Sequence, residues 1–504
     1  MFVRKKKNQS GSVSIQIIQK SKGNNKVVKS VGCSKEEKEI KFLVRKAHLE
    51  IPKLQKQQTF DFGYGETDKN ILEFVESKSI IVSSVGANVV LGKIFDSIGF
   101  NKIKEPLFKK LVIARIVYPV SKLKTKNYWE RHFGYQTSIQ SVYDSLDRLH
   151  KRHKTEIENI SYTYTKPILK TISIVFYDMT TIYFESKEED CLRKVGFSKD
   201  GKFQKPQIML GLLVGKDGYP IGYDIFEGNT FEGKTILPVI KRLQRKYGFS
   251  KPIVVADSGL LSKNNIEKLK QEKYQFILGA RIRNVSDDIK KEIIKKTGSL
   301  KNGESVLIKE HDDNLIVSFS NSRAKKDAYN KDKGLRKLKI KVRSGKLTKE
   351  QINNRGYNKF LKIKNKIEIE IDEDKILTDK EWDGLKGYIT NTNLSNDEVI
   401  QNYQNLWKIE KAFRISKTDL KIRPIFHYKK ERIETHICLS FVAYTIYKEL
   451  ERLLKVNNLN ISITEAIELL ETIYEIDFIL PQSGKKEKRF VNLTEKQNSI
   501  LNLV

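Results

Sequence analysis

Hydrophobic and polar positions alternate in three distinct ways along this chain. Near the start, SVSIQIIQ (12–19) has the period-two texture of a strand, and the charged segment from Lys35 to Leu49 reads as a helix. From about Asn88 to Ile160 apolar residues return every three or four positions, in VVLGKIFDSIGF, LFKKLVIARIVY and SVYDSLDRLHKRH. That period predicts a run of short amphipathic helices with basic polar faces. At residue 171 the texture changes again. TISIVFYD predicts a buried strand ending in Asp178, and QIMLGLLV and YPIGYDIF predict two more, joined as an antiparallel hairpin by the turn KDG (216–218). A helix from Lys234 to Tyr247, the strand PIVVAD ending in Asp257, a helix over 263–271 and the strand YQFILGA complete the series. Three strands, helix, strand, helix, strand describes an α/β layer with an antiparallel edge.

Residues 281–385 interrupt that order with strand-like pieces (ESVLIKE, LIVSFS, KIEIEID) and a basic run, 321–367, holding 17 Lys and Arg against 3 acids. We read them as a β-rich basic insertion. GYITNTN (387–393) predicts one more short strand, and Ser395 caps a helix expected to run past Glu410. Residues 429–455 predict a long, mostly apolar helix. The expected domains are a small basic module (1–60), a helical, DNA-binding region (61–165), a catalytic core (166–280 and 386–455), the insertion (281–385) and a helical tail (456–504).

Charge sharpens this picture. The chain carries 95 Lys and Arg against 62 Asp and Glu, a net +33, and such a field favours a polyanion, most commonly nucleic acid. A Lys-, Asn- and Ile-rich composition also follows from an AT-rich genome, so charge alone is only suggestive. Three dispersed cysteines (Cys33, Cys191, Cys438) and seven His argue against a zinc site or a disulfide framework, and fit a reducing cytosol. The first residues have no apolar signal segment, and no run of about 18 apolar residues occurs, so a cytoplasmic protein without a membrane partner is expected.

Three carboxylates stand where metal chemistry wants them. Asp178 and Asp257 close apolar strands, at the carboxyl ends where α/β folds place ligands, and Glu410 lies on a helix beyond the insertion. Hard oxygen donors from separate elements suit a pair of Mg²⁺ ions about 3.5–4 Å apart, which activate a water or 3′-hydroxyl for in-line attack on a phosphodiester. A lone strand-terminal Asp is more often a turn or cap residue, so the surrounding motifs decide.

The segment YQNLWKIEKAFRISK (403–417) resembles the Y-(2)-R-(3)-E-(6)-K signature of bacterial insertion-sequence transposases of the IS-four superfamily. Tyr403, Glu410 and Lys417 match it, and Leu406 holds the arginine position. DSGLLS (257–262) and YDMTTIYFES (177–186) resemble the family's second and first aspartate blocks. GFSKDGKFQKPQIMLGLLV and FEGNTFEGKT resemble flanking sequence of the sixteen-thirty-four-type branch. The resemblance runs from about residue 170 to 450. It implies an RNase H-like catalytic core with Asp178, Asp257 and Glu410 as catalytic metal ligands, two Mg²⁺ (or Mn²⁺) ions, and Tyr403 and Lys417 against the DNA backbone. It further implies cut-and-paste transposition at terminal inverted repeats, double-stranded DNA as partner (element ends and target), a homodimer in the DNA complex, and a bacterial, nucleoid-associated location. The seven-residue spacing supports the carry-over, because it sets Tyr403, Glu410 and Lys417 on one helix stripe about 10.5 Å apart. Arg414, one turn past Glu410, is a further candidate for DNA contact.

GNTFEGKT (228–235) also fits the P-loop pattern GxxxxGK(S/T). The antiparallel turn before it and Glu232 inside the phosphate nest count against an ATPase. A catalytically inactive DNA-binding relic or a plain RNase H-like nuclease would also carry these residues. Trp407 is expected in the core, and His436 as a core histidine with satisfied hydrogen bonds.

Overall fold

The computed structural model describes residues 1–504 except 22, 56–70, 72–73, 76–79, 171, 200, 261, 311–312, 345–346, 348–351, 354, 365–367 and 481–483. The start of the region expected over 61–165 and parts of the basic run 321–367 therefore lie outside the described residues. The chain divides into two compact units, residues 1–81 with 477–487, and residues 82–476 with 488–504.

In the first unit the strands Phe2–Lys7, Val13–Ser21 and Asn24–Ser34 form an antiparallel sheet. The alternation in SVSIQIIQ turns Ile15 and Ile17 inward, where Ala47 of the helix Glu37–Leu54 packs with them.

The second unit is built around an eight-stranded sheet. Its spatial order is Ser305–Glu310, Asp313–Phe319, Leu385–Thr390, Phe276–Ala280, Ile253–Ala256, Ile174–Tyr183, Gln207–Val214 and Pro220–Glu227. Ile174–Tyr183, Ile253–Ala256 and Phe276–Ala280 run parallel, and the flanking pairs are antiparallel. The protein is thus a mixed α/β chain with a central mixed sheet. Gln207–Val214 is buried at every position, as expected of a strand covered on both faces. Helix Ile236–Tyr247 covers one face through Val239, Ile240 and Leu243. The other face meets Ile409, Ala412 and the long helix Lys430–Val456, which is continuous in one core with the helices between 86 and 169.

The KDG turn forms as expected. Asp217 and Gly218 take φ of 62° and 75°, the left-handed backbone of a three-residue hairpin loop (216–218), and Gly215 N–H donates to the Tyr219 carbonyl at 2.9 Å. That hairpin removes the parallel crossover a P-loop core requires.

Several expectations are corrected. The Asp178 strand does not stop at Asp178 but continues to Tyr183, because Met179 to Tyr183 go on pairing with 207–211. The 281–385 segment is not simply β-rich. Ser305–Glu310 and Asp313–Phe319 extend the central sheet through Leu385–Thr390, whereas much of the basic run is the helix Asn321–Arg343. Its strong helix formers (Ala, Lys, Arg, Leu) outweigh the strand-like flanks. The tail beyond 456 includes strands Tyr474–Ile479 and Lys486–Phe490 as well as helices Ile463–Glu471 and Glu495–Leu501.

Candidate active site

Parallel pairing sets the two aspartates side by side. Tyr177 is in register with Ala256, the last pair of that ladder, and the next residue on each strand is Asp178 and Asp257. Strand Ile253–Ala256 ends there, so Asp257 opens a turn over 258–260, while Asp178 remains within its strand. Burial, opposed in part by the nearby Lys199 ammonium, raises the Asp178 carboxyl to about 6, and the charges of Glu232 and Asp257 act in the same direction.

Lys199 lies in the flanking block GFSKDGKFQKPQIMLGLLV, but nothing in that block marks it as a partner of Asp178. Its Nζ donates to the Met179 carbonyl at 2.7 Å, pairs with Glu232 Oε1 at 2.7 Å and lies 3.8 Å from Asp178 Oδ1. Although burial disfavours its charge, Asp178 and Glu232 hold its pKa above the ordinary lysine value. The one sequence signal for this pair is Glu232, which sits awkwardly in a phosphate nest.

Tyr403 is expected at the DNA backbone, yet it is buried, and its hydroxyl donates to Asp257 Oδ1 at 2.9 Å. Burial and the Asp257 charge push that phenol far above its ordinary pKa. Gly279 makes the approach possible, since a Cβ there would collide with the Tyr403 hydroxyl. Lys386 Nζ lies over the Tyr403 ring, 4.4 Å from its centroid. Burial and Arg323 lower the Lys386 pKa against the pull of Asp257 and Glu410. Beside Asp257, Tyr403 and Lys386 opens a groove of about 810 Å³, also lined by Arg281, Arg323 and Tyr357.

The helix bearing Glu410 departs from the regular stripe. Ser395 caps it with a full capping box to Glu398, but the α-helix Asn396–Gln404 ends before a second one, Trp407–Arg414, and a wider turn, Ile415–Asp419, follows. At the joint, Leu406, Lys408 and Ile409 donate to carbonyls three residues back. Tyr403, Glu410 and Lys417 thus occupy three successive segments rather than one helix. Glu410 and Arg414 are exposed, and Lys417 is half-buried. Leu406 is buried in the core, so the position of the signature's arginine points inward. Trp407 is 52% exposed, contrary to the expected core packing, because Ile409, Ala412 and Phe413 already fill the inner face. His436 is a core histidine as expected, with Nε2 2.9 Å from the Ile422 carbonyl.

Asp178 and Asp257 suit a hard divalent cation, and an ammonium held among carboxylate and carbonyl oxygens marks a cation-favouring position. Among the described residues no three His, Cys, Asp or Glu side chains converge into a metal cage. Magnesium is usually held by one or two carboxylates, with waters and substrate phosphates supplying the rest, so the aspartate pair fits such an ion.

Residues 169–446 match the transposase DDE domain family. The chain belongs to that family. It is a DNA transposase, an enzyme of phosphodiester cleavage and transesterification, and divalent metal ions serve this family generally. No curated protein matches the chain. Among solved structures, a piggyBac transposase synaptic complex with hairpin DNA aligns over 79% of this chain and 77% of its own, at 9% identity and a TM-score of 0.40. A Mos1 transposase paired-end complex with the left transposon end aligns over 46% and 66%, at 13% identity and a TM-score of 0.16. Among the described residues of this transposase, no helix is long and apolar enough to cross a membrane.

Proposed function

We propose that this transposase cuts and joins DNA at the terminal inverted repeats of a bacterial insertion sequence, with Asp178, Asp257 and Glu410 as its catalytic carboxylates. The observation that carries this reading is the adjacency of Asp178 and Asp257 on parallel strands, with Lys199 seated as a cation beside them. The five strands from Pro220–Glu227 across to Phe276–Ala280, three antiparallel and then two parallel, support an RNase H-like core.

Asp178 and Asp257 would hold divalent metal, Mg²⁺ or Mn²⁺, and Glu410 would complete a two-ion site on DNA binding. A metal held there would supply Lewis-acid activation of the attacking oxygen and offset charge on the leaving oxygen. Tyr403 fixes the orientation of Asp257 through its hydroxyl. Lys386 and Arg323 present positive charge to a DNA strand in the groove beside Asp257. Lys417 and exposed Arg414 contact the backbone farther along the Glu410 segment, and Trp407 offers a stacking face. The signature of Tyr403, Glu410 and Lys417 supports the IS-four assignment, and holding two ends for joining supports a homodimer on DNA, at the nucleoid.

The test is a Mg²⁺-dependent cleavage and strand-transfer assay on DNA carrying the flanking inverted repeats. Wild type nicks and joins ends, while Asp257→Ala and Glu410→Gln bind DNA but lose turnover by on the order of a thousandfold or more. Cutting that survives in the variants removes the proposed trio. Binding without cutting by wild type makes the chain a relic.

A further inference from the structure

Away from the aspartates, a group of basic side chains is buried with no acid among them. Arg115, on the helix Phe108–Val117, is 5% exposed, and Lys122, first in the helix Lys122–Phe133, is 4% exposed. With His427, His436, Lys421 and Arg423 they line a cavity of about 110 Å³, and no Asp or Glu lines it. At ~30 Å³ per liquid water this is room for a few waters or one small oxyanion.

The polar groups there are poorly matched. Arg115 Nη1 reaches only the carbonyls of Leu420 and Lys421, at 3.5 and 3.4 Å, and its buried Nε has no hydrogen-bond partner. Among the described residues the Lys122 side chain makes no hydrogen bond or ion pair. His436 turns Nε2 to the Ile422 carbonyl, which leaves Nδ1 as an acceptor 3.5 Å from Arg115 Nη2, so this imidazole is neutral. Asp147, the acid that acts on His427 electrostatically, is committed to Arg432 through two hydrogen bonds of 2.8 and 2.7 Å.

An unpaired buried guanidinium is costly, and unlike lysine it cannot escape by losing its proton near neutral pH. Its charge calls for an anion. The donors approach from two helices and the 421–427 segment, a surrounding arrangement that suits a tetrahedral ligand better than a planar carboxylate.

We propose that the Arg115–Lys122 cavity is an oxyanion site that takes a phosphate group, from either the DNA backbone or inorganic phosphate. The Arg115 guanidinium and Lys122 Nζ are the charges it completes, and exposed Lys421 stands at its mouth. The bound anion ties the segment that follows Glu410 to the helical region before the sheet. This site is independent of the catalytic trio, which shares none of its lining residues.

The full chain is titrated with inorganic phosphate against chloride at equal ionic strength, reading thermal midpoint and calorimetric affinity, and DNA affinity is measured in parallel. Wild type is expected to gain several degrees, with phosphate affinity falling about tenfold or more in Lys122→Met and returning in Lys122→Arg. If the source is the backbone, Lys122→Met also loses about tenfold in DNA affinity, and inorganic phosphate competes with DNA on wild type but not on the variant. If the source is free phosphate, DNA affinity is equal in both. Should Lys122→Met not fold, Lys421→Met at the rim reads the same contrast. Equal phosphate responses and equal DNA affinities in wild type and the folded variant overturn the site.

Discussion

Asp178 and Glu410 sit on elements of opposite character. Asp178 belongs to a ten-residue strand paired on both sides, and its carboxyl is held by burial and by Lys199. Glu410 projects to solvent from an eight-residue helix that is broken before and widened after it. The aspartate side is fixed by a hydrogen-bonded ladder with fully buried neighbours. The glutamate side is held at its inner face only, by Ile409, Ala412 and Phe413, and by Lys411 reaching across to Glu451 at 2.6 Å. On the proposed assignment, the sheet preorganises the aspartate half of the site and leaves the glutamate half free to adjust when DNA and metal arrive.

That contrast can be strained at several points. The largest effect on stability is expected at Glu451, which takes both Lys411 and the buried Lys448. Glu451→Gln leaves two ammonium groups without their acid and costs roughly 3 kcal/mol in denaturant unfolding. The pH dependence follows in sign. Although burial alone would raise it, Lys411 and Lys448 pull the Glu451 carboxyl from 4.5 to about 2 when folded. Its contribution is complete above about pH 4.5 and is lost as pH falls toward 2. The variant lacks that acid-limb component, and an identical acid profile in both proteins would remove the pair as the anchor of the Glu410 helix.

Next comes Gly279→Ala. Displacing the Tyr403 hydroxyl by even an ångström misaligns Asp257, and cleavage is expected to fall by about a hundredfold with the fold retained. Unchanged turnover would mean that Tyr403 does not orient Asp257. Smallest is Tyr403→Phe, which removes one hydrogen bond to a carboxylate and is expected to slow cleavage about tenfold, with DNA affinity unaltered. A loss in DNA affinity without a loss in turnover would return Tyr403 to the DNA backbone.

Much of the architecture is readable from period and punctuation. QIMLGLLV and YPIGYDIF pair as expected because Asp217 and Gly218 accept left-handed backbone, and Ser395 forms the helix cap expected of it. Sequence patterns mislead where a local period competes with distant partners. ESVLIKE and LIVSFS have the alternation of strands, but nothing local says that they join the central sheet rather than a separate domain. A spacing of seven suggests one stripe for Tyr403, Glu410 and Lys417. The break at 405–406 is invisible to that spacing, since no Pro or Gly marks it.

By itself, the sequence determined most element types around the central sheet, the two aspartates at strands, the helix-borne glutamate and the family blocks that join them. These rest on short-range physics, namely side-chain period, turn chemistry and capping. Only the tertiary structure decided that Asp178 and Asp257 are neighbours in register, that Lys199 and Glu232 accompany them, and that Tyr403 turns inward to Asp257. It also gathered Arg115, Lys122, His427 and His436 around one cavity. Those outcomes depend on contacts between residues tens to hundreds of positions apart, whose geometry no local pattern encodes.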